Sequence, residues 1–125
     1  MSEIVIRRAT PEDNFDELYP FGAVTLIWNR ELIFVAVDGE KLVGGIIIWD
    51  SEHPILFTGF LRIHPDYRDR MVGYRLMEAV EDYAADHNKI GVLGYTNNKR
   101  FGKHLEKLGA LLDEDMYAQL FKVTM

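Results

Sequence analysis

Ile63-His64-Pro65-Asp66-Tyr67-Arg68-Asp69-Arg70-Met71-Val72-Gly73 joins two segments whose hydrophobic patterns differ. Before it, Ile55 to Ile63 is apolar and rich in β-formers. From Val72 onward, Val72, Leu76, Val80, Tyr83 and Ala84 recur at helical spacing, with Glu78, Glu81, Asp82 and Asp86 largely opposite. His64-Pro65 therefore ends a strand, and the loop feeds the N-terminus of a helix reaching about His87. Such a junction offers amide N–H groups without acceptors inside the helix, backed by the positive end of its dipole, and anions bind there. Arg68, Arg70 and Arg75 add full charges, and Gly73 lets backbone approach a ligand closely. A plain β-α loop with solvated arginines has the same residues, so the junction alone leaves both readings open.

Upstream, Leu32 to Val37, then Asp38-Gly39, then Lys41 to Trp49 make a hairpin pattern, because Asp-Gly supplies the positive φ that a tight primed turn needs. Gly59, inside the Ile55–Ile63 pattern, predicts a bulge or a close backbone approach. Ile4 to Arg8 reads as a strand. Thr10-Pro11-Glu12-Asp13 reads as a helix start running to about Tyr19, and Ala23 to Arg30 as a short helix. Downstream come a buried strand over Ile90 to Tyr95 and a helix capped by Asn97 or Asn98. That helix carries Phe101, Leu105 and Leu108 on one stripe and closes at Gly109. Strands over Ala110–Leu112 and Met116–Val123 complete the order β-α-(α)-β-β-β-α-β-α-β-β, an α/β protein with a mixed sheet.

At 125 residues, without repeats or linker-like tracts, residues 1–125 are expected to form a single domain. Fourteen basic against twenty acidic residues give −6, which excludes nucleic-acid binding by overall positive potential. No apolar run spans a bilayer, and Met1-Ser2-Glu3-Ile4 lacks the layout of a secretion signal, so no membrane association and a cytoplasmic location are expected. With no cysteine and with His53, His64, His87 and His104 off ligand spacing, no metal is expected. Four basic and ten acidic residues precede position 61, and ten of each follow, so the whole excess of negative charge lies in the first part. Glu12, Asp13, Asp16 and Glu17 there could attract a cationic amine, although a solvated acidic helix looks the same. Lys99 and Arg100 would stand in the first turn of their helix, where the dipole disfavours cations unless an anion is bound.

The loop from Ile63 to Gly73 resembles the central acetyl-CoA motif of the GNAT superfamily of N-acetyltransferases, which reads Arg/Gln-x-x-Gly-x-Gly/Ala after a strand ending in an apolar-x-Pro step. The similarity extends over nearly the whole chain: the opening Ile6-Arg7-Arg8-Ala9-Thr10-Pro11-Glu12-Asp13, the hairpin, the loop and helix, and Asn98 to Gly109 with Glu106-Lys107-Leu108-Gly109 in place. It implies an acyl-CoA N-acyltransferase-like fold: one mixed, mostly antiparallel sheet with helices on both faces. It further implies acetyl-CoA as co-substrate and transfer of acetyl to a primary amine of a small molecule, peptide or protein. The strand ending at Ile63 would part from the strand over Ile90–Tyr95 to admit pantetheine, with Gly59 as the bulge. Backbone near Leu61 and Ile63 would bond the pantetheine. The stretch Arg68, Asp69, Arg70, Met71, Val72 and Gly73 would hold the pyrophosphate, Asn98 would bond nearby, and Lys99, Arg100 or Lys103 would neutralise the 3′-phosphate.

The chain departs from that pattern in three places. Met71 stands at the loop's first glycine position, Leu105 where many members carry a tyrosine acid, and Thr58 and Gly59 where a carboxylate base often lies. Titratable alternatives are His104, Tyr95 and His53, with Glu52 and His64 behind them. The run from Gly94 to Phe121 is also similar to small internal virion proteins of short-tailed phages, which implies an alternative: a phage-encoded binding or structural protein with a phage or host partner, in the virion or host cytoplasm. A monomer or a homodimer is compatible with the sequence.

Overall fold

A computed structural model of the chain describes residues 3–14, 32–68, 70–95, 103, 106–107, 111–113 and 116–120, with backbone alone for Tyr95 and the last two segments. Seven strands are present among these residues: β1 (Ile4–Arg8), β2 (Leu32–Asp38), β3 (Lys41–Trp49), β4 (Ile55–Ile63), β5 (Gly91–Tyr95), β6 (Leu111–Asp113) and β7 (Met116–Leu120). They form one sheet in the order β1-β2-β3-β4-β5-β7-β6. Every neighbouring pair is antiparallel except β4 and β5. A parallel pair needs a crossover, and here it contains helix α1 (Val72–Asp86). The mixed, mostly antiparallel sheet is thus the expected one.

β3 is buried at six consecutive residues, Val43 to Ile48, so the sheet is covered on both faces. On one face Val43, Ile46, Ile48 and Leu56 pack against Val72, Leu76, Val80 and Ala84 of α1. On the other, Ile33, Val35, Val37 and Ile47 cluster with Ala9, Leu42 and Trp49. The helical stripe read from the sequence is the buried stripe of α1, and Met77 joins it.

Gly44 sets how closely α1 can approach. A Cβ there would stand 2.8 Å from Val72 Cγ1, 3.2 Å from Leu76 Cδ1 and 3.3 Å from Ile63 Cδ1. The helix rests on β3 backbone at this point, and a β-branched neighbour has little freedom to move aside.

Several expectations shift on inspection. The two-residue hairpin loop is Gly39-Glu40 rather than Asp38-Gly39, with Asp38 paired to Lys41 and positive φ at Gly39 (65°). Ile90 is not in the strand and is exposed. Thr10 does not cap a helix within the described residues: Pro11 and Glu12 form a turn, and the Thr10 amide donates 2.7 Å to Asp13 Oδ2. Asp13 is held there by a two-pronged pair with Arg7 at 2.7 and 2.9 Å. The rest of that predicted helix, the one over Ala23–Arg30 and most of the one after Asn98 lie outside the described residues; Lys103, Glu106 and Lys107 are helical.

At the C-terminal end of α1, buried Lys89 donates from Nζ to the carbonyls of Ser51 and His53 and pairs with Asp50 at 3.0 Å. Tyr83 Oη donates to the other Asp50 oxygen, and His87 stacks on the Tyr83 ring at 3.8 Å. Burial pushes the Asp50 carboxyl up, but the hydrogen bonds from Tyr83 and Lys89 outweigh it and hold it below the ordinary range. Burial, then the bond to Asp50, pushes the Tyr83 phenol up to about 12.

Three substitutions test this packing and this pair. Gly44→Ala should destabilise by about 1–3 kcal/mol through overpacking against Val72, read as a lowered urea midpoint with an unchanged slope. The Asp50 carboxyl is depressed in the folded state, so its contribution is present above the unfolded value near ~3.9 and is lost as pH falls through the lower folded value. The stability gap between wild type and Asp50→Asn should therefore narrow on acidification. Tyr83 is the opposite case: its contribution is complete below about 10 and disappears as pH rises through the folded value. The gap to Tyr83→Phe should close over that alkaline window.

Candidate active site

The β4/β5 ladder has four rungs: Ile55↔Gly91, Leu56↔Val92, Phe57↔Leu93 and Thr58↔Gly94. Beyond them β4 continues for Gly59 to Ile63, paired only to β3 among the described residues. The last described residue of β5, Tyr95, pairs with Met116 of β7. Between Gly45↔Arg62 and Ile47↔Gly59, two β4 residues, Phe60 and Leu61, oppose the single residue Ile46. That is a β-bulge, and it bends its strand. The expected bulge is real but lies one residue later than predicted: Phe60, not Gly59, takes the left-handed backbone, with φ 54°. Gly59 serves instead as the surface on which the Trp49 ring lies, 3.4 Å from where a Cβ would be.

β4 delivers the chain to a loop anchored on both sides. The His64 amide donates 2.8 Å to Val43 O, and His64 Nδ1 accepts from the Asp66 amide at 3.2 Å, capping a 3-10 turn over Pro65–Tyr67. Tyr67 Oη donates 2.5 Å to Asp38, tying the loop to the hairpin, and that bond holds the phenol above its ordinary range. Arg70 lies over the Tyr67 ring at 4.9 Å. Met71 follows with φ 59° and ψ 23°, makes no side-chain cap bond, and is 58% exposed. The first intrahelical bond of α1 is Arg75 N–H to Met71 O at 3.1 Å, so the Val72 and Gly73 amides precede it. They form the anion-favouring end of the helix.

The expected binding residues fall on this junction with distinct placements. Leu61 and Ile63 lie on β4 past the last rung, their side chains packed toward the α1 cluster. The Leu61 carbonyl accepts from Arg62 at 3.1 Å. Arg68 is exposed and has no partner among the described residues; Val72 is buried and Gly73 half-buried in the first turn of α1. Arg75, read from sequence as part of the anion cluster, donates instead to Ile4 O of β1 at 2.8 Å. Asp69, Asn98, His104 and Leu105 lie outside the described residues, as does the Tyr95 side chain. His53 and Glu52 precede β4, at the end of the strand away from the opening; His53 Nδ1 accepts from the Ile55 amide at 3.1 Å. His64 is occupied as a cap. Among the described residues no group of three His, Asp or Glu could hold a metal.

Sequence reading passed over Tyr67, Phe60 and Gly44. A glycine inside an apolar strand is the signal that points to Gly44; Tyr67 pairs with Asp38 across 29 residues, and no local pattern marks that.

A mixed sheet whose one parallel pair stops short above a helix N-terminus is the acyl-CoA N-acyltransferase fold. The fold is shared with the AtaT Y144F mutant toxin bound to the C-terminus of the antitoxin AtaR: TM-score 0.77, 12% identity, 95% of this chain and 94% of that one. It is shared with the PaiA N-acetyltransferase from Thermoplasma acidophilum in complex with coenzyme A: TM-score 0.74, 14% identity, 95% and 99%. Tetrahymena GCN5 matches with TM-score 0.70 and 16% identity over 97% and 99%. No curated protein matches the chain significantly in sequence. The sequence profile of the Acetyltransferase (GNAT) family matches residues 3–109, and the chain belongs to that family.

The family's glycine position before the helix now has a physical reason: Met71 adopts the backbone that glycine adopts freely. Met71→Gly should raise stability by about 1 kcal/mol, the cost of a left-handed L-residue, measured as an increase in urea midpoint.

Proposed function

We propose that the protein transfers an acetyl group from acetyl-CoA to a primary amine. The observation that carries the reading is that, among the described residues, the β4/β5 ladder ends at Thr58↔Gly94 while β4 runs on for five residues toward the N-terminus of α1. The unladdered edge of β4 from Gly59 to Ile63 would bond the pantetheine amides as an added strand does. Backbone from Arg68 to Gly73, with the Arg68 and Arg70 guanidinium groups, would hold the pyrophosphate, and Lys103, exposed and helical, would face the 3′-phosphate together with Lys99 and Arg100. Asn98 would bond the cofactor between them. Acetyl-CoA supplies an activated thioester: the amine nitrogen forms the new C–N bond, the C–S bond breaks, and the thiolate and the ammonium proton recombine through solvent. A β4 amide beyond the ladder would polarise the carbonyl. With Leu105 at the usual acid position, the protein's contribution is chiefly to hold the two reactants together.

Calorimetry with coenzyme A and a mass-spectrometric panel of primary amines with acetyl-CoA test this reading. Coenzyme A should bind, and Arg68→Glu should weaken it about tenfold or more, as expected for a charge-assisted phosphate contact. Acetylated product should form faster as pH rises toward the amine value near ~10.4. Absence of binding at millimolar coenzyme A defeats the assignment, and binding without any product makes the chain a coenzyme A-binding protein.

A further inference from the structure

The three arginines of the strand-to-helix junction are held in different ways. Arg75 is committed to the Ile4 carbonyl of β1 at 2.8 Å. Arg68 is exposed, and so is Arg70. The Arg70 side chain is nevertheless held, its guanidinium carbon 4.9 Å from the centroid of the Tyr67 ring. No ion pair restrains it among the described residues. Contact with a ring face spends none of the five N–H donors of a guanidinium, whereas a carboxylate partner would occupy donors and offset the charge. Arg70 is therefore placed while its charge and its donors stay available.

The Arg70 backbone amide is not available in the same way, because it donates to the Tyr67 carbonyl at 3.2 Å. What Arg70 offers an anion comes from its side chain, and both its amide and its guanidinium rest on Tyr67. Tyr67 is in turn pinned by three neighbours. Its amide donates 2.8 Å to the His64 carbonyl, and the His64 ring stands perpendicular to its own at 5.7 Å. Its hydroxyl donates 2.5 Å to Asp38 at the end of β2. Lys41, the hairpin partner of Asp38, stands over the same ring at 5.9 Å, near the outer limit for such a contact.

A long arginine side chain loses rotamer freedom when it binds an anion, and a contact that restricts it beforehand lessens that loss. Arg70 immediately precedes Met71, the N-cap of α1, so the restricted guanidinium belongs to the same junction as the Val72 and Gly73 amides. We propose that Tyr67 is a positioning residue for the diphosphate of coenzyme A: its ring holds the Arg70 guanidinium for the diphosphate ahead of binding, and Asp38 and His64 hold the ring. The inference rests on the coenzyme A reading above and adds a residue that acts through another rather than by touching the cofactor.

The test is a double-mutant cycle read by calorimetry with coenzyme A. In the wild type, Arg70→Gln should weaken binding about tenfold, as for a charge-assisted phosphate contact. In a Tyr67→Leu background the same substitution should cost only about threefold, since an exposed cation–ring contact is worth about that factor. Tyr67→Phe keeps the ring and should restore the full tenfold cost. A tenfold cost that persists in Tyr67→Leu overturns the inference, as does a Tyr67→Phe background that behaves like Tyr67→Leu. A second measurement needs no variant to fold: in the wild-type NMR spectrum the Arg70 Hδ protons should lie upfield of their usual position through the Tyr67 ring current, and unshifted protons overturn the inference. If the wild type does not bind coenzyme A at millimolar concentration, the cofactor reading fails and the role of Tyr67 falls with it. If it binds and the cycle shows no coupling, the role of Tyr67 alone fails.

Discussion

One surplus residue in β4 governs the shape of this protein's candidate site. Ladder pairing with β3 runs from Phe57 to Ile63 of β4, while among the described residues pairing with β5 holds only its first four residues. An evenly paired strand could not easily satisfy one neighbour and leave the other. Inserting Phe60-Leu61 opposite Ile46 changes the local twist of β4 without breaking its bond to β3 on either side. The bent strand then leads into the loop at His64, still carrying an edge whose amides and carbonyls lack a ladder partner among the described residues. An exposed edge of that kind is a hazard unless something covers it. A pantetheine arm, with its own amides, is chemically suited to do so.

An opening in a sheet is useful only if the anion-binding end of α1 is held in a fixed relation to it. Three contacts do this, each of a different kind. The His64 amide to Val43 carbonyl bond fixes the first residue after β4 to β3. The Tyr67 to Asp38 bond fixes the middle of the loop to the hairpin end. Contact of Val72 and Leu76 with the place of the absent Gly44 side chain fixes the first turns of α1 to β3 backbone. A backbone hydrogen bond contributes only about 1 kcal/mol net and one to a carboxylate about 1.5–3 kcal/mol, so the loop depends on all three rather than on any one. Together they anchor the start, middle and end of the loop to the same two-stranded hairpin, which is also the most deeply buried part of the sheet.

What the sequence disclosed follows from the range of the forces involved. The hairpin, β4, the strand-to-helix switch and the buried stripe of α1 are local periodicities, and all were legible. The sheet order was accessible only through family resemblance, because periodicity does not say which strands are neighbours. Turn details slipped by one residue at Asp38-Gly39 and at the Gly59 bulge. Gly39 has the expected positive φ but is the first rather than the second loop residue, and the bulge expected at Gly59 falls at Phe60-Leu61. Thr10 was misread because the cap pattern carries no information about Arg7, which captures Asp13 from the neighbouring strand. Arg75 was assigned to the anion cluster by proximity in sequence, whereas its helical position directs it to β1. The strand-to-helix junction is legible in sequence; which of its cations have partners elsewhere in the fold is not.

On the proposed reading, two of the three departures from the family pattern concern proton transfer. The features that position a cofactor are retained as geometry: the ladder end, the bulge and the helix terminus. Two of the altered places, Leu105 and Thr58-Gly59, are where the family moves protons, whereas the third, Met71, lies in the loop that would hold the pyrophosphate. Positioning can supply about 7–11 kcal/mol of a barrier, while a general acid or base adds typically about 10²- to 10⁴-fold. Loss of the second leaves the larger part intact. Thr58 in particular could not act as a base, being 4% exposed with its hydroxyl committed to the Ile47 carbonyl at 2.8 Å. Water can carry the proton in its place, and the exposure of Phe60 and Met71 keeps solvent close to this end of β4. The same openness that admits solvent for proton transfer weakens every electrostatic contact inside, because screening rises with water content.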